Sequence, residues 1–404
     1  MILSGKGEYV MIVREHYIRQ IRPFYESDLV KIITGIRRCG KSVIMDQIRE
    51  ELESQGKRTI KLDFEKREVS AAITTDLELI RFVKEHQTAE KLYVFLDEIQ
   101  TLENWNLAVK SLRLENMSIF ITGSNSKLLS REFTKELSGR YVSFCIRPFV
   151  YKEMLQYALE LGKTVTVNDY LIYGGFPKIL EFENKSAVLR YLNDLDETIV
   201  INDIIRRYRI KKEQVFRRLV NYVLISNSRI FSGSSVQRYL EGQNIKISVA
   251  TVMKYMSYLE EAYIIRKIPQ YSTKAKRELN YYLKIYNEDV AFNTIRQKAG
   301  RYDLTHNLEN IIYNELFYMG YELSVFHQNN REIDFLAEKE NKQYLIQVAY
   351  SIVEEETYNR EFALFNVLDQ SRRKIIITND EVDFSTSTVE HIPLSKFLML
   401  DQLA

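Results

Sequence analysis

Apolar residues in the first third of the chain come in short, nearly continuous runs separated by stretches with helical spacing. The runs are Leu29–Ile33, Ile60–Phe64, Leu92–Leu96, Ile119–Thr122 and Tyr141–Ile146. Continuous runs, in place of alternating apolar and polar residues, are typical of strands that helices cover on both faces. Strands that alternate with helices in this way predict an α/β fold built on a parallel sheet.

The pattern changes at about Pro148, where helical periodicity takes over and continues to Ser228. From Ser232 to Asn287 it predicts a short helix, a turn, a longer helix and two strands, and the remainder returns to α/β character. We therefore predict four segments along the chain. They are residues 1–147, 148–228, 229–288 and 289–404.

A glycine-rich loop follows the first predicted strand. Its pattern, Gly35-x-x-x-x-Gly40-Lys41-Ser42, has phosphate-loop spacing, and a helix is predicted directly after it. Such a loop binds phosphates through backbone N–H groups; Lys41 would reach the β- and γ-phosphates and the Ser42 hydroxyl would hold Mg²⁺. The predicted nucleotide contacts are Gly35, Arg37, Arg38, Cys39, Gly40, Lys41, Ser42 and Val43. The alternative is a basic loop that matches the pattern by chance.

A pair of acids follows the third predicted strand, in the stretch LYVFLDEIQ. A parallel sheet presents the residues that end its strands at one edge, so Asp97 and Glu98 would face the phosphate loop. Asp97 would hold Mg²⁺, and Glu98 would polarise the attacking water as a general base. The alternative is a solvated turn after a strand.

Composition narrows the class of protein without naming a function. The chain has 404 residues, 45% hydrophobic and 28% charged, which suits a globular protein of roughly two or three domains. The two cysteines, Cys39 and Cys145, have no metal-ligand spacing and fit a reducing compartment. We expect no membrane span and no signal peptide, and hence a cytoplasmic protein. The net charge of +2 indicates no partner by itself.

With these two motifs the chain resembles a prokaryotic AAA+-type ATPase of the archaeal and STAND-like branch. The resemblance implies ATP and Mg²⁺ as ligands and a polar γ-phosphate sensor after the fourth strand, at Ser124 or Asn125. Whether the chain forms a homo-oligomer stays open. Arg140, just before the fifth strand, would be an arginine finger, and Pro177 in the turn GGFP would pack on adenine. A capping role for the sensor candidates and a surface position for Arg140 stay open.

The segment FSGSSVQRYLEGQNIKISVATVMKYMSYLEEAYIIRKI predicts a winged helix. Ser248 would cap the second helix, whose Val252, Met256 and Leu259 share one face. The side chains predicted to point outward toward DNA are Thr251, Lys254, Tyr255 and Tyr258 on this helix, and Lys274, Lys276 and Arg277 on the wing. Winged helices also serve as protein-contact modules, so a protein partner stays open.

The last segment resembles the PD-(D/E)xK nuclease fold that follows the winged helix in many members of this ATPase family. Glu309 on a helix and Asp334 on a strand match its acids, but the expected Glu-x-Lys is Gln347-Val348-Ala349. Gln347 is neutral and Ala349 has no amine, so this motif lacks the lysine that would position water. We expect a degenerate, inactive nuclease-like domain.

The combined interpretation is a phosphate-loop ATPase core followed by a helical lid, a winged helix and a nuclease-like α/β domain. Such a protein would hydrolyse ATP and couple its nucleotide state to DNA binding. One alternative is a STAND-like ATP switch that acts through protein partners. The other is a metal-dependent DNase.

Overall fold

A five-stranded parallel sheet forms the centre of the N-terminal part of the protein. The computed structural model describes residues 11–124, 137, 139–271, 283–298, 300–328, 331–365 and 372–404. The strands of this sheet are β1 (Val30–Thr34), β2 (Arg58–Asp63), β3 (Leu92–Asp97), β4 (Met117–Gly123) and β5 (Tyr141–Cys145), in the order β2-β3-β4-β1-β5. All neighbouring pairs are parallel, as the apolar runs predict. The protein is thus an α/β protein with a phosphate-loop NTPase type of sheet.

Helices cover this sheet and explain why its strands are apolar throughout. They are α1 (Glu15–Ile21), α2 (Lys41–Ser54), α3 (Arg67–Ala72), α4 (Asp76–Glu85) and α5 (Trp105–Leu112). Every residue of β1, β3 and β4 is buried. The start of α4 is set by a capping box, in which Thr75 and Glu78 satisfy each other's backbone N–H groups.

The chain divides into two compact units, Met1–Pro148 with Glu261–Tyr263, and Phe149–Glu260 with Ile264–Ala404. The second unit begins with helices and contains a small antiparallel sheet in the order β6-β8-β7. Its first helices are α6 (Tyr151–Glu160), α7 (Val167–Tyr173), α8 (Lys185–Thr198) and α9 (Glu213–Ile225). The next elements are β6 (Arg229–Phe231), α10 (Gly233–Glu241), α11 (Val249–Glu261), β7 (Ile265–Pro269) and β8 (Leu283–Asn287).

The C-terminal part of the second unit is a five-stranded mixed sheet in the order β13-β12-β11-β10-β9. Its strands are β9 (Glu322–Gln328), β10 (Arg331–Lys339), β11 (Lys342–Val348), β12 (Arg373–Thr378) and β13 (Glu390–Pro393). Strands β9, β10 and β11 pair antiparallel, whereas β11, β12 and β13 pair parallel. The helices of this part are α12 (Ala291–Thr294), α13 (Leu304–Tyr318), α14 (Glu355–Phe365) and α15 (Leu394–Phe397).

Two single turns of tighter helix flank the sheet of the first unit, and irregular helical turns also occur in the second. They are the 3₁₀ turns Arg22–Phe24, Ile99–Thr101 and Pro177–Glu181 and the π-helical stretch Ile199–Arg206. Across the described ranges, no helix is long and apolar enough to cross a membrane.

One lysine lies inside the core of the first unit. Lys31 on β1 is fully buried, and its ammonium donates to Ser118 Oγ at 2.7 Å and to the carbonyl of Ser27 at 3.2 Å. The ammonium also lies 4.7 Å from the centre of the Phe120 ring. Burial lowers the pKa of Lys31 to about 7, because the charged form loses its hydration.

We predict that Lys31→Met stabilises the protein, and does so more at pH 6.5 than at pH 9.5. The folded pKa lies below the ordinary value, so between about pH 7 and pH 10.5 the unfolded chain binds a proton that the folded chain lacks. The stability of the wild type therefore rises with pH across this range, and methionine removes that rise. The difference in unfolding free energy between Lys31→Met and the wild type should be larger at pH 6.5 than at pH 9.5 by about 1–3 kcal/mol, measured by urea denaturation.

The control for this prediction is Lys57→Met, because Lys57 is exposed. The difference in unfolding free energy between that variant and the wild type should be the same at the two pH values. A Lys31→Met effect of equal size at pH 6.5 and pH 9.5 would contradict a buried lysine that loses its charge on folding.

Candidate functional site

The loop between β1 and α2 has a backbone that turns through left-handed conformations. Gly35 has φ +142° and Gly40 has φ +99°, while Arg38 adopts φ 67°. A Cβ on Gly35 would lie 2.0 Å from the carbonyl oxygen of Ile146, so a larger residue does not fit there. A tight loop of this kind before a helix N-terminus is typical of a phosphate-binding nest.

Lys41 is the first residue of α2 and points back over the loop. Its side chain is buried, and Nζ donates to the carbonyl of Ile36 at 3.1 Å. Glu98 Oε1 lies 3.9 Å from the same Nζ. The Lys41 ammonium therefore lies against the backbone of the loop, and the Glu98 carboxylate lies next to it.

Asp97, at the end of β3, contacts side chains from the helix α2 and from the strands β2 and β4. Its Oδ1 accepts hydrogen bonds from the hydroxyl of Ser42, at 3.1 Å, and from the hydroxyl of Thr122 on the neighbouring strand β4. Its Oδ2 lies 3.5 Å from Lys61 Nζ on β2. The carboxylate predicted to hold Mg²⁺ is thus brought to the hydroxyl predicted to share it.

Glu98 is held in a strained backbone conformation that turns its side chain out of the strand. Its φ is +51°, which is rare for a residue with a Cβ, and its backbone N–H donates to Thr122 Oγ1 at 2.9 Å. Gln100 donates to its carboxylate. Left-handed residues of this kind concentrate at functional sites.

The residues around the loop fit a nucleotide with its magnesium ion. A hydroxyl and a carboxylate side by side are the hard oxygen ligands that Mg²⁺ takes from a protein. Ser124, one of the two predicted sensors, has a buried Oγ without a hydrogen-bond partner among the described residues. An unsatisfied buried hydroxyl beyond the end of β4 is available to a ligand. Asn125, the other candidate, lies outside the described residues.

The side chains of the loop itself divide between packing and exposure. Cys39 is buried and its thiol contacts the carbonyl of Ile146 at 3.3 Å, so the side chain packs away from a ligand. Arg37 pairs with Glu65 at 3.2 Å. Arg38 is exposed, and Val43 on the first turn of α2 is half-buried. Contact with phosphate at these positions would come from the backbone.

Arg14, Lys61 and Thr122 belong to the site and were not assigned a role from sequence. The Arg14 guanidinium is buried and donates to the carbonyls of Cys39 and Arg147, each at 3.0 Å, which fixes the loop against the segment after β5. No local motif marks a residue 21 positions before the glycine-rich loop. The signal for Thr122 was its position at the end of the fourth apolar run, two residues before the predicted sensor Ser124.

Arg140 does not reach this site in its own chain. It is exposed and precedes β5, where its carbonyl accepts from the N–H of Val30 at the start of β1. Because the two strands are parallel, this is the edge of the sheet opposite the loop, roughly 15 Å away along β1. Within one chain Arg140 therefore lies away from the loop, and its role as an arginine finger stays a prediction.

Pro177 lies in the second unit, where it begins a 3₁₀ turn and is half-buried. The glycines before it are required by close packing. A Cβ on Gly175 would lie 2.0 Å from the carbonyl oxygen of Phe149, and one on Gly174 would overlap the carboxylate of Asp289. Asp289 also accepts from the N–H of Gly175 at 2.8 Å. The two glycines therefore allow close packing of the turn against Phe149 and Asp289. Contact between Pro177 and adenine stays a prediction.

Helix α11 confirms most of the predicted pattern and corrects one residue. Ser248 Oγ accepts from the N–H of Thr251 at 3.2 Å, as a cap should, and Lys254 is exposed. Tyr255 is buried, however, and packs edge-to-face on Phe216 with ring centroids 5.1 Å apart. Tyr255 lies at the side of the apolar face of α11, next to Met256, so its side chain belongs to the core and not to the outward surface.

The apolar positions of α11 are buried as predicted, namely Val252, Met256 and Leu259. Tyr258 is half-buried and stacks on Tyr208 at 3.7 Å. The predicted wing residues Lys274, Lys276 and Arg277 lie outside the described residues.

The acids of the last segment meet around a lysine from another element. Glu309 on α13 and Asp334 on β10 both lie within hydrogen-bond distance of Lys284 Nζ, at 2.8 Å and 2.9 Å. Glu332 lies 3.0 Å from the same nitrogen. Burial first, and the nearby Asp334 second, raise the pKa of Glu309 to about 7. The sequence suggested no role for Lys284, which lies 25 positions before the first acid.

The Gln-Val-Ala stretch has become part of the packing of the sheet. Gln347 Oε1 accepts from the N–H of Asp334 at 3.3 Å, and its Nε2 donates to Glu361 at 3.0 Å. Ala349 is buried in an apolar cluster. No group of three or more His, Cys, Asp and Glu side chains in the described part of the chain is arranged to hold a metal ion.

Comparison with known protein families assigns most of the first unit to the AAA domain family. Residues 27–155 match the AAA domain family, and residues 164–297 match a domain of unknown function, DUF8612. Among solved structures, the Walker-type ATPase PABY2304 of Pyrococcus abyssi aligns with 71% of this chain and 96% of its own, at 17% identity and a TM-score of 0.47.

Two full-length relatives are more similar in sequence. An uncharacterized protein of Haemophilus influenzae is 33% identical over 381 residues, covering 91% of this chain and 93% of its own. The uncharacterized protein MJ1544 of Methanocaldococcus jannaschii is 30% identical over 400 residues, covering 91% of this chain and 88% of its own. The chain therefore belongs to the same family as these two proteins, with an AAA domain in residues 27–155.

Proposed function

We propose that this protein binds Mg-ATP at the loop Gly35–Ser42 and hydrolyses it to ADP and phosphate. The observation that carries the proposal is the convergence of Ser42 and Thr122 on Asp97 Oδ1, with Lys41 and Glu98 side by side next to them. A structural role alone does not account for a buried lysine, two adjacent acids and an unsatisfied Ser124 hydroxyl at one sheet edge. The AAA domain family match supports the same reading.

Each residue would act on a different part of the reaction. The loop amides and Lys41 would hold the phosphates, and Ser42 and Asp97 would hold the magnesium ion. That ion, when bound, neutralises the charge that develops on the β- and γ-oxygens. Glu98 would take a proton from the attacking water as its oxygen bonds to the γ-phosphorus and the bond to the β-γ bridging oxygen breaks.

The 3.9 Å contact between Lys41 and Glu98 has a consequence for this reaction. In this arrangement the Glu98 carboxylate faces the Lys41 ammonium. Bound phosphates would draw the Lys41 ammonium toward themselves and release Glu98. The strained backbone of Glu98 and its bond from Gln100 then determine where the carboxylate points.

We predict that Lys41→Ala weakens ATP binding by about 10–100-fold, because charge-assisted hydrogen bonds to the phosphates are lost. The measurement is titration with a fluorescent ATP analogue. Lys57→Ala, which removes an exposed lysine before β2, is the control and should bind like the wild type. Unchanged affinity in Lys41→Ala would contradict a phosphate role for this residue.

We predict that Glu98→Gln binds ATP normally but hydrolyses it about 10²–10⁴-fold more slowly, because the amide cannot accept the proton of water. Single-turnover hydrolysis of radiolabelled ATP separates the two effects. The control is Glu115→Gln, which alters an acid paired with Lys84 on the surface. Turnover at the normal rate in Glu98→Gln would show that another group is the base.

We further propose that the second unit couples the nucleotide state to DNA. The proposed segments are the ATPase core in residues 1–147, a helical lid and linker in 148–228, a winged helix in 229–288 and an inactive nuclease-like domain in 289–404. Support for the winged helix comes from the pair α10 and α11, followed by the antiparallel strands β7 and β8 with β6 beside them. Thr251 and the exposed Lys254 would face the phosphates or bases.

A STAND-like ATP switch that works through a protein partner is the second candidate. The observation in its favour is that Val249 and Met253 on α11 are exposed, 39% and 40%, on the helix that would otherwise enter the DNA groove. Apolar side chains on a recognition surface favour protein contact over phosphate contact. A homo-oligomer would suit either function, because Arg140 can reach a nucleotide site in a neighbouring copy only.

We predict that duplex DNA increases the rate of ATP hydrolysis, and that Lys254→Ala weakens DNA binding and lowers the slope of log affinity against log salt by about 1. The measurements are ATPase assays with and without DNA and fluorescence anisotropy at several salt concentrations. Lys185→Ala, an exposed lysine on α8, is the control.

Sizing in ATP and in ADP completes this experiment by testing assembly. No stimulation by DNA, with slow hydrolysis and nucleotide retained through purification, would contradict the DNA function and favour the protein-partner switch.

A further inference from the structure

Lys284 on β8 is surrounded by acids from two other elements. Its Nζ lies 2.8 Å from Glu309 Oε1, 2.9 Å from Asp334 Oδ1 and 3.0 Å from Glu332 Oε1. The lysine is 4% exposed, and Glu309 and Asp334 are buried with it. An ammonium has as many N–H donors as there are carboxylates around it, so the lysine is fully satisfied.

Each of the two buried acids also accepts one further hydrogen bond. Tyr286 donates to Glu309 Oε1 at 2.6 Å, and the N–H of Val348 donates to Asp334 Oδ2 at 3.0 Å. Gln347, at the position where the nuclease resemblance expects a second acid, bridges Asp334 N to Glu361 through its amide. The Gln347 side chain, at the position of an expected metal ligand, therefore connects β10 to α14 through hydrogen bonds.

A divalent ion does not fit this arrangement. Mg²⁺ requires oxygen ligands at about 2.0–2.1 Å, whereas these carboxylate oxygens stand at ammonium distance from a central nitrogen. The centre of the cluster is already occupied by a positive charge. The magnesium site that the nuclease resemblance implies is thus filled by an atom of the chain itself.

We infer that Lys284 is a resident cation that replaces the divalent ion at this acid cluster, so that the wild-type domain neither binds a divalent metal there nor cleaves DNA with it. The inference goes beyond the proposed ATPase function and does not depend on it. It accounts for buried acids at a place where Gln347 and Ala349 stand instead of the acid and the lysine of the nuclease motif. The ion pairs of Lys284 also connect β8 to α13 and β10.

The charges of the cluster agree with this role. Burial lowers and the three carboxylates raise the pKa of Lys284, with the carboxylates dominant, so the lysine stays charged. Glu309 has a raised pKa of about 7, because burial and Asp334 both oppose its ionisation. The Lys284 ammonium therefore supplies to these acids the positive charge that a divalent ion would otherwise supply.

The test removes the ammonium and asks whether a metal ion takes its place. We predict that Lys284→Met binds Mn²⁺ at least about tenfold more tightly than the wild type, because the uncovered carboxylates are hard oxygen ligands. It should also be stabilised by Mn²⁺ in thermal unfolding, whereas the wild type is not. Both proteins are measured without nucleotide and with the proposed ATP site unchanged, so that any Mn²⁺ bound at that site contributes equally to the two.

The matched control is Lys267→Met, which removes a lysine that pairs with a single acid, Glu260, on the neighbouring strand β7. It should gain no Mn²⁺ binding. If Lys284→Met does not fold without metal, Lys284→Met combined with Glu332→Gln has one uncompensated acid fewer and keeps both buried carboxylates. That double variant should fold and still bind Mn²⁺ more tightly than the wild type.

Three results would overturn the inference. The first is Mn²⁺ binding by the wild type that Asp334→Asn abolishes. The second is metal-dependent cleavage of DNA by the wild type that is lost in the same variant. The third is the absence of any gain in Mn²⁺ affinity in both Lys284→Met and the double variant.

Discussion

The carboxylate of Asp97 is the interaction on which the first unit depends. It ends β3, accepts from Ser42 at the start of α2 and from Thr122 on β4, and lies near Lys61 on β2. A buried carboxylate is costly unless hydrogen bonds and cations compensate it. Of these neighbours, Ser42 is also a residue that the proposed reaction uses, so the same contact supports both the sheet and the site.

The same problem of buried charge is solved differently elsewhere in the chain. Lys31 has hydroxyl and carbonyl acceptors but no acid, and its burial lowers its pKa to about 7. Lys284 has three acids and keeps its charge. The Arg14 guanidinium is fixed by two backbone carbonyls. Burial alone therefore does not determine the ionisation of a lysine in this protein, because the number of nearby carboxylates decides it.

These arrangements separate two kinds of site. At the glycine-rich loop, Ser124 has a buried hydroxyl without a partner among the described residues, and Lys41 and Glu98 stand at a loose 3.9 Å. At the acid cluster the Lys284 ammonium has three carboxylate partners within 3.0 Å, and Tyr286 and Gln347 form further hydrogen bonds there. Loose, unsatisfied groups suit a site that receives a ligand, whereas a fully satisfied network suits a structural role.

The local pattern of the sequence determined the five parallel strands, the glycine-rich loop and the acids after β3. Each of these depends on residues adjacent in the chain, such as an apolar run or the spacing from Gly35 to Ser42, so periodicity and motif were sufficient. The apolar face of α11 was predictable for the same reason. Tyr255 was not, because a flanking position is buried or exposed according to what packs beside it, here Phe216.

Tertiary structure alone decided the rest. Strand direction and order put Arg140 at the edge of the sheet opposite the loop, although it immediately precedes a core strand. The approach of β8 to α13 and β10 brought Lys284 among acids that lie 25 to 50 positions away. No local pattern contains such pairings, since the electrostatic energy of a side chain depends on distances in space that only the folded chain defines.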